Sequence, residues 1–255
     1  MKLHFLTFGG GGQNYRDAVL RLARQAFASR WFDGIFGLTE HDLFLVDEKW
    51  ASSHRDFIVK NRRGYGYWIW KPFLLLQLMR QIDYGDLVFY ADAGTELNVK
   101  GGARFLELRE MASCSDLVVF EIGERTASWT KGDIFHALGL NLGDPIANEN
   151  QIMATAGFFR KTHATLSLLS QWKLVCESEN YQLLDDTPSS RPNDPAFKEN
   201  RHDQAIFSLL VKMSGLAIVL PDETFYSELW KAGAYNEVAP IQTMRNKTGV
   251  VRIPF

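Results

Sequence analysis

Asp92 is the residue of this chain best placed to do chemistry. It sits near the end of Gly85-Asp-Leu-Val-Phe-Tyr-Ala-Asp-Ala-Gly94, where the apolar run Leu87 to Tyr90 delivers one carboxylate flanked by the small residues Ala91, Ala93 and Gly94. A carboxylate in such a place is costly unless paired or metal-bound, and small neighbours leave room for a ligand. Hard oxygen donors suit magnesium or manganese, so a divalent cation bridging Asp92 to a diphosphate is one expectation. The plainer alternative is a turn or capping aspartate. Upstream lies Tyr65-Gly-Tyr-Trp-Ile-Trp-Lys-Pro72, which places the Lys71 ammonium at the start of a helix, within reach of a diphosphate. A solvated surface lysine is the alternative there. Aromatic rings beside a cation, feeding a strand that ends in a carboxylate, suit an anionic, ring-bearing ligand such as a sugar nucleotide.

Three further segments carry candidate groups. Arg201-His-Asp-Gln-Ala-Ile-Phe207 opens a helix. Asp203 there either caps the helix or, with Gln204, sets a carboxylate and an amide against a sugar hydroxyl. Arg245-Asn-Lys247 is a cationic tail segment that could fold over a bound phosphate. Gly9-Gly-Gly-Gly12 follows a strand and precedes a helix, so Gly9 could begin a phosphate-facing turn. It fails the dinucleotide fingerprint, because position 14 is Asn14, and no Gly-Lys-Ser/Thr follows for a P-loop. A tight turn is as good a reading. Thr7 and Phe8, at the end of that strand, are the better candidates for touching a base or ribose. Trp129-Thr-Lys-Gly-Asp133 is a loop where an acceptor could bind, or a plain surface loop, and the six histidines show no metal-ligand spacing.

The elements that must position these groups follow from periodicity. Strands are predicted at Lys2 to Phe8, Gly34 to Thr39, Leu87 to Tyr90, Leu117 to Ile122, within Asn148 to Arg160, and at Ala217 to Leu220. Helices are predicted at Asp17 to Ser29, brokenly over Asp42 to Val59, at Lys71 to Ile82 with Pro72 in the first turn, and at Arg104 to Ala112, Leu166 to Ser178 and Asp203 to Ser214. Alternation of strand and helix in the first half gives an α/β class with a mostly parallel central sheet flanked by helices. Ligands of such sheets bind outside the carboxyl ends of the strands, where Asp92 falls. Asp185 to Arg201 is too long for an ordinary connection and reads as functional or mobile. The tail from Pro240 to Phe255 reads as irregular.

Composition bounds the rest. The chain has 255 residues, 46% of them hydrophobic, enough for one large α/β domain or two small ones and a substantial core, and no linker is clear enough to divide it. A formal net charge of -2 gives no support for nucleic-acid binding. Cys114 and Cys176 form no metal-spaced pair and read as buried small residues in a reducing compartment. No signal peptide and no apolar run of membrane-spanning length is legible, so the expected location is cytoplasmic, with any membrane association peripheral.

In order along the chain, Thr7-Phe8, Gly-Tyr-Trp-Ile-Trp-Lys-Pro72, Phe-Tyr-Ala-Asp-Ala-Gly94, Ala156-Gly157-Phe158, His202-Asp-Gln-Ala-Ile-Phe207 and Arg245-Asn-Lys247 resemble bacterial nucleotide-diphospho-sugar transferases of the GT-A fold, of a capsule or surface-glycan type distantly similar to glycogenin. The resemblance implies one GT-A domain over 1–255, with the nucleotide-binding part at about 1–100 and the acceptor part at about 101–255. It implies a nucleotide-sugar donor, UDP-linked, and a glycan acceptor. Thr7 and Phe8 would meet the nucleoside, Lys71 would stand near the nucleotide or donor sugar, and Ala156 and Gly157 would line the sugar pocket. Asp92 would match one aspartate of the metal-holding Asp-x-Asp motif, and Asp203 and Gln204 the late acidic motif, with Asp203 as base if the enzyme inverts. One departure is plain: the positions two before and two after Asp92 are Tyr90 and Gly94, so the second aspartate is missing. Without a metal, Lys71, Arg245 and Lys247 would have to balance the diphosphate. The alternatives from other classes are an NAD(P)-dependent oxidoreductase using the Gly9 to Gly12 turn, and a catalytically silent sugar-binding protein.

Overall fold

The computed structural model describes residues 1–253. The elements run β1 (Leu3–Gly9), α1 (Gln13–Ser29), β2 (Gly34–Thr39), α2 (Asp42–Val46), α3 (Glu48–Lys60), α4 (Gly64–Tyr67), α5 (Trp70–Gln81), β3 (Leu87–Ala91), β4 (Glu96–Leu97), α6 (Gly102–Ser113), β5 (Leu117–Arg125), α7 (Gly132–Ala137), α8 (Pro145–Asn148), β6 (Asn150–Arg160), α9 (His163–Glu177), α10 (Asp203–Ser214), β7 (Ala217–Pro221), α11 (Ser227–Lys231) and β8 (Ile241–Gln242). Six strands make one sheet in the order β2-β1-β3-β6-β5-β7. Strand β6 runs antiparallel to both β3 and β5, and the other pairs are parallel. The carboxyl ends of five strands therefore share one rim. Both expected portions of the chain contribute strands to this single sheet.

Strand β3 reads as an unbroken apolar run because both its faces are covered. Val88 and Tyr90 join the larger core cluster, which includes residues of α3, α5, α9 and α10. Leu87, Phe89 and Ala91 join the opposite cluster, with Leu22 of α1 and Phe105 of α6. Side chains alternate along a strand, so Asp92 continues the Tyr90 side and faces the layer that holds α5. This alternation decides which helix can answer the carboxylate.

Helix α5 enters through an unusual turn. Gly64, Tyr65, Gly66, Tyr67 and Trp68 all have positive φ, from 51° to 84°, so α4 is a left-handed turn. Each non-glycine residue in that conformation costs about 1–2 kcal/mol. Glycine is required at two of the five positions for a second reason. A Cβ on Gly64 would lie 2.4 Å from the Trp68 ring, and one on Gly66 would lie 2.8 Å from Ile58. The turn is held by Tyr67 N–H to the Arg63 carbonyl at 2.8 Å and by the Trp70 indole N–H to the Gly64 carbonyl at 3.0 Å.

Three expectations change. The tail is not wholly irregular: β8 pairs antiparallel with β4; residues 254 and 255 lie outside the described residues. Cys114 is exposed, because it caps the end of α6 rather than facing the core, whereas Cys176 is buried. Helix α1 starts at Gln13, earlier than its apolar periodicity indicates. Among the described residues no helix is long and apolar enough to cross a membrane.

Candidate active site

Asp92, Lys71 and Asp203 meet at the rim of the sheet. The Lys71 Nζ lies 3.1 Å from Asp92 Oδ1, 3.1 Å from Asp203 Oδ2 and 3.0 Å from the Ala154 carbonyl of β6. The contact with Asp203 Oδ2 is an ion contact whose angle is poor for a hydrogen bond. The Tyr90 hydroxyl donates to Asp92 Oδ1 at 2.5 Å, and the Asp92 N–H donates to the Thr155 carbonyl at 2.8 Å. Side chains of Lys71 and Asp203 are 3% and 4% exposed, whereas that of Asp92 is 27% exposed. Asp92 is therefore the one of the three that solvent reaches. Asp203, expected as the base, is sealed behind Lys71 and acts on the site by holding that lysine.

The electrostatics follow from this burial. Dehydration opposes the Lys71 charge, but Asp203 and Asp92 outweigh it and hold the pKa above its ordinary value. Asp203 is pushed up to about 7, first by burial; Lys71 pulls it down and Asp92 pushes it up again. Burial, and then the Asp92 charge, raise the Tyr90 hydroxyl well above its usual range, so it remains a proton donor to Asp92.

The turn after Asp92 is locked to the tail. Arg21 of α1 is fully buried and donates to the carbonyls of Ala93 (2.7 Å), Thr95 (2.9 Å) and Asn246 (3.0 Å). Glu96, 3.9 Å from Arg21, accepts from the Asn246 side chain and from the N–H groups of Arg252 and Ile253. A Cβ on Gly94 would lie 3.2 Å from the Arg245 Cα, and the Gly94 carbonyl accepts the Asn246 N–H at 2.9 Å. Ala93 and Gly94 thus serve close approach of the tail. Buried Asn246 anchors the segment and leaves Arg245 and Lys247 exposed beside the site. Lys247 Nζ sits 5.7 Å from the Tyr15 ring centroid, near the start of α1.

Other sequence candidates lie inside the protein. Thr7 is fully buried, and Phe8 is 2% exposed with its ring 4.2 Å from that of Trp70. Gly9 is small because a Cβ would meet the Tyr15 carbonyl at 2.8 Å, and Gly10 and Gly11 lie under the Tyr65 ring. The glycine turn is thus packed by α1 and α4, which removes the support for a dinucleotide site. Ala156 and Gly157 pair with Ala91 and Tyr90 in the middle of the sheet and are buried. Gln204 accepts the Ala154 N–H at 3.2 Å and donates to Gln151 at 2.8 Å, bracing α10 on β6. Two cavities, of about 360 Å³ beside Trp50 and Phe73 and about 230 Å³ beside His4 and Asp86, are not lined by the cluster, which sits on an open rim.

The places of Arg201 and His202 were not legible from spacing. The long loop ending at Arg201 is fastened: Arg125 holds Asp194 through two bonds of 2.9 and 2.8 Å, and the Asp133 carboxylate accepts the N–H groups of Ser190 and Arg191. Arg201 stacks on Trp129, 3.9 Å from the ring centroid. His202, with φ 52° and ψ -124°, donates from Nδ1 to the Leu184 carbonyl at 2.8 Å and stacks on Tyr67 at 4.4 Å. Burial pushes its pKa down to about 4, so it is neutral. The signal for Arg201 was a cation two residues before a buried carboxylate; for Arg21 it was a charge on the apolar face of α1.

The fold family implies a divalent cation, and the residues around Asp92 do not compose a seat for one. The position of the second aspartate is Gly94, Asp92 Oδ1 already accepts from Tyr90 and lies 3.1 Å from the Lys71 ammonium, and Asp203 faces the same ammonium. Among the described residues no cluster of three or more His, Cys, Asp or Glu side chains could hold a metal.

No protein-family model and no curated protein sequence matches this chain. Solved structures do. The chain is similar to a glycosyltransferase involved in glycosylation of the major capsid of the virus PBCV-1, with a TM-score of 0.50, 9% identity, and coverage of 99% of this chain and 95% of that one. The mouse xyloside xylosyltransferase 1 gives a TM-score of 0.45 at 12% identity, covering 95% and 97%. The galactosyltransferase LgtC gives 0.44 at 14% identity, covering 98% and 84%. At such identities the likeness is one of fold, and the viral enzyme carries it: this chain has a glycosyltransferase fold of the GT-A type, a mostly parallel sheet flanked by helices.

Proposed function

We propose that the chain is a glycosyltransferase that moves a sugar from a nucleotide-diphosphate donor, UDP-linked, to a hydroxyl group of a surface glycan. The observation that carries this reading is the partly exposed Asp92 carboxylate on the strand rim, paired from behind with the buried Lys71 ammonium, which the sealed Asp203 also contacts. Sugar transfer breaks the bond between the anomeric carbon and the diphosphate, which leaves with the electron pair, while the acceptor oxygen bonds to that carbon and its hydroxyl proton passes to an oxygen of the departing diphosphate. The main demand on the protein is preorganised charge at the leaving group and fixed orientation of the sugar. An ionised carboxylate accepts hydrogen bonds only, so Asp92 suits donor hydroxyls. Lys71 cancels its charge, so the carboxylate does not repel the diphosphate beside it.

The test is a thermal-shift panel of UDP-, GDP-, CDP- and dTDP-sugars, with NADH and NADPH as controls. A ligand that binds only the folded chain raises the melting temperature, by mass action. At least one nucleotide sugar raises it and the nicotinamide cofactors do not. A panel without effect, or a shift confined to NADH or NADPH, contradicts the assignment.

A further inference from the structure

The position a metal would take between two acidic groups is filled by the chain's own ammonium. Lys71 Nζ stands 3.1 Å from each of Asp92 and Asp203, and its remaining contact is the Ala154 carbonyl at 3.0 Å. A cation bound by the same carboxylates would meet that fixed positive charge at close range. Lys71 is also engaged on every side, so it is not free to hold a phosphate. The charge that answers a diphosphate must come from elsewhere.

Two arginines have what is needed. Arg201 lies two residues before Asp203, and the Arg245 Cα packs against Gly94, two residues after Asp92. Each guanidinium lies near aromatic rings: Arg201 is 3.9 Å from the Trp129 centroid, and Arg245 is 5.3 Å from Phe225 and 5.8 Å from Trp230. Stacking fixes a guanidinium while leaving its in-plane N–H donors open. Neither side chain donates a hydrogen bond to any described residue. The carboxylate nearest Arg201 is Glu199 at 3.7 Å, and Arg245 has none within 4.0 Å among the described residues. Burial holds the Arg201 pKa below its ordinary value; Glu199 and Glu124 oppose that shift, and the Arg245 and Arg63 charges add to it. Arg201, stacked on Trp129 with Glu199 at 3.7 Å, and Arg245, exposed and without a carboxylate within 4.0 Å among the described residues, bring two guanidinium groups to the segments that carry Asp203 and Asp92, a charge that suits a diphosphate.

We propose that Arg201 and Arg245 seat the diphosphate of the donor and that the Lys71 ammonium stands in for the divalent cation, so that donor binding requires no metal. This rests on the reading of the chain as a nucleotide-sugar transferase. The carboxylates keep their orientation through Lys71, and the two arginines supply the charge a metal would bring to the phosphate oxygens.

Isothermal titration calorimetry with UDP, GDP, CDP and inorganic pyrophosphate, each in EDTA and again with manganese, tests it. A nucleoside diphosphate binds equally well under both conditions. Arg201→Gln and Arg245→Gln each weaken it about tenfold, as loss of a charge-assisted contact does. Arg201 is partly exposed and Arg245 exposed, so these variants fold. Binding seen only with manganese overturns the inference and leaves the transferase reading standing. Binding untouched by either arginine change also overturns the inference alone. Absence of binding by every probe under both conditions overturns both.

Discussion

Asp203 is a carboxyl group whose charge the fold resists. It is held near pH 7 against an ordinary value of 3.8, chiefly by burial, although Lys71 is adjacent. Between those two pH values the folded chain keeps a proton that the unfolded chain releases. The penalty is absent below about pH 4, grows until about pH 7 and is constant above. Lys71, held above its own ordinary value, stays charged through that window. Asp203→Asn removes the titration, so the stability of the parent relative to this variant falls as pH rises from 4 to 7 when both are measured by urea unfolding. A constant difference across that range contradicts the assigned burial. At this scale the sequence exposed much of the site. Asp92 follows an apolar strand, Lys71 precedes a proline at a helix start, and Asp203 opens a helix; each stands at the end of an element. What no spacing gave was that one lysine answers both carboxylates, because that requires knowing which face of β3 meets α5. The burial of Thr7 and Ala156 was hidden for the same reason. A strand buried on both faces has no polar alternation to show which residues reach a ligand.

Among the elements, the left-handed turn of α4 is the most strained, and it sets where α5 begins. Two glycines with positive φ separate the contributions to that strain. Gly85 has φ 88° and nothing within 4 Å of where a Cβ would stand, whereas Gly64 has φ 60° and the Trp68 ring at 2.4 Å. Gly85→Ala carries only the backbone cost, about 1 kcal/mol. Gly64→Ala adds displacement of a tryptophan, for a total of about 2–4 kcal/mol. Urea melts of the two variants report the difference; equal losses would show that Trp68 does not rest on Gly64. Helix α5 and strand β3 were legible because their apolar content is continuous and Pro72 marks a helix start. The turn between α3 and α5 was not, because five successive positive φ values arise from how Trp68, Ile58 and the Gly10–Gly11 backbone interlock around it. The sequence showed only that glycines and aromatic residues alternate.

Across the whole molecule, the buried pair of Arg21 and Glu96 fastens the tail to the site. It ties α1, the turn after Asp92 and residues 246–253 together, and so carries Arg245 to its place over Phe225. Removing one partner of a buried ion pair strands the other and costs about 3–5 kcal/mol. Glu96→Gln is expected to lower stability by that amount and to speed tryptic cleavage at Arg245 and Lys247, followed by mass spectrometry. Unchanged cleavage would mean that the tail is held by other contacts. The mostly parallel architecture was legible from strand and helix alternation, but this fastening was not, since Arg21 and the Asn246 carbonyl it holds are 225 residues apart in the chain. If Asp92 faces an activated sugar, the chain hydrolyses nucleotide sugars slowly when no acceptor is present, and that hydrolysis depends on Asp92. Parent and Asp92→Asn chains are incubated with the donor that gives the largest thermal shift, and release of the nucleoside diphosphate is followed by chromatography. The parent releases it, and Asp92→Asn does not while melting within a few degrees of the parent. Equal release by the two chains would contradict the claim.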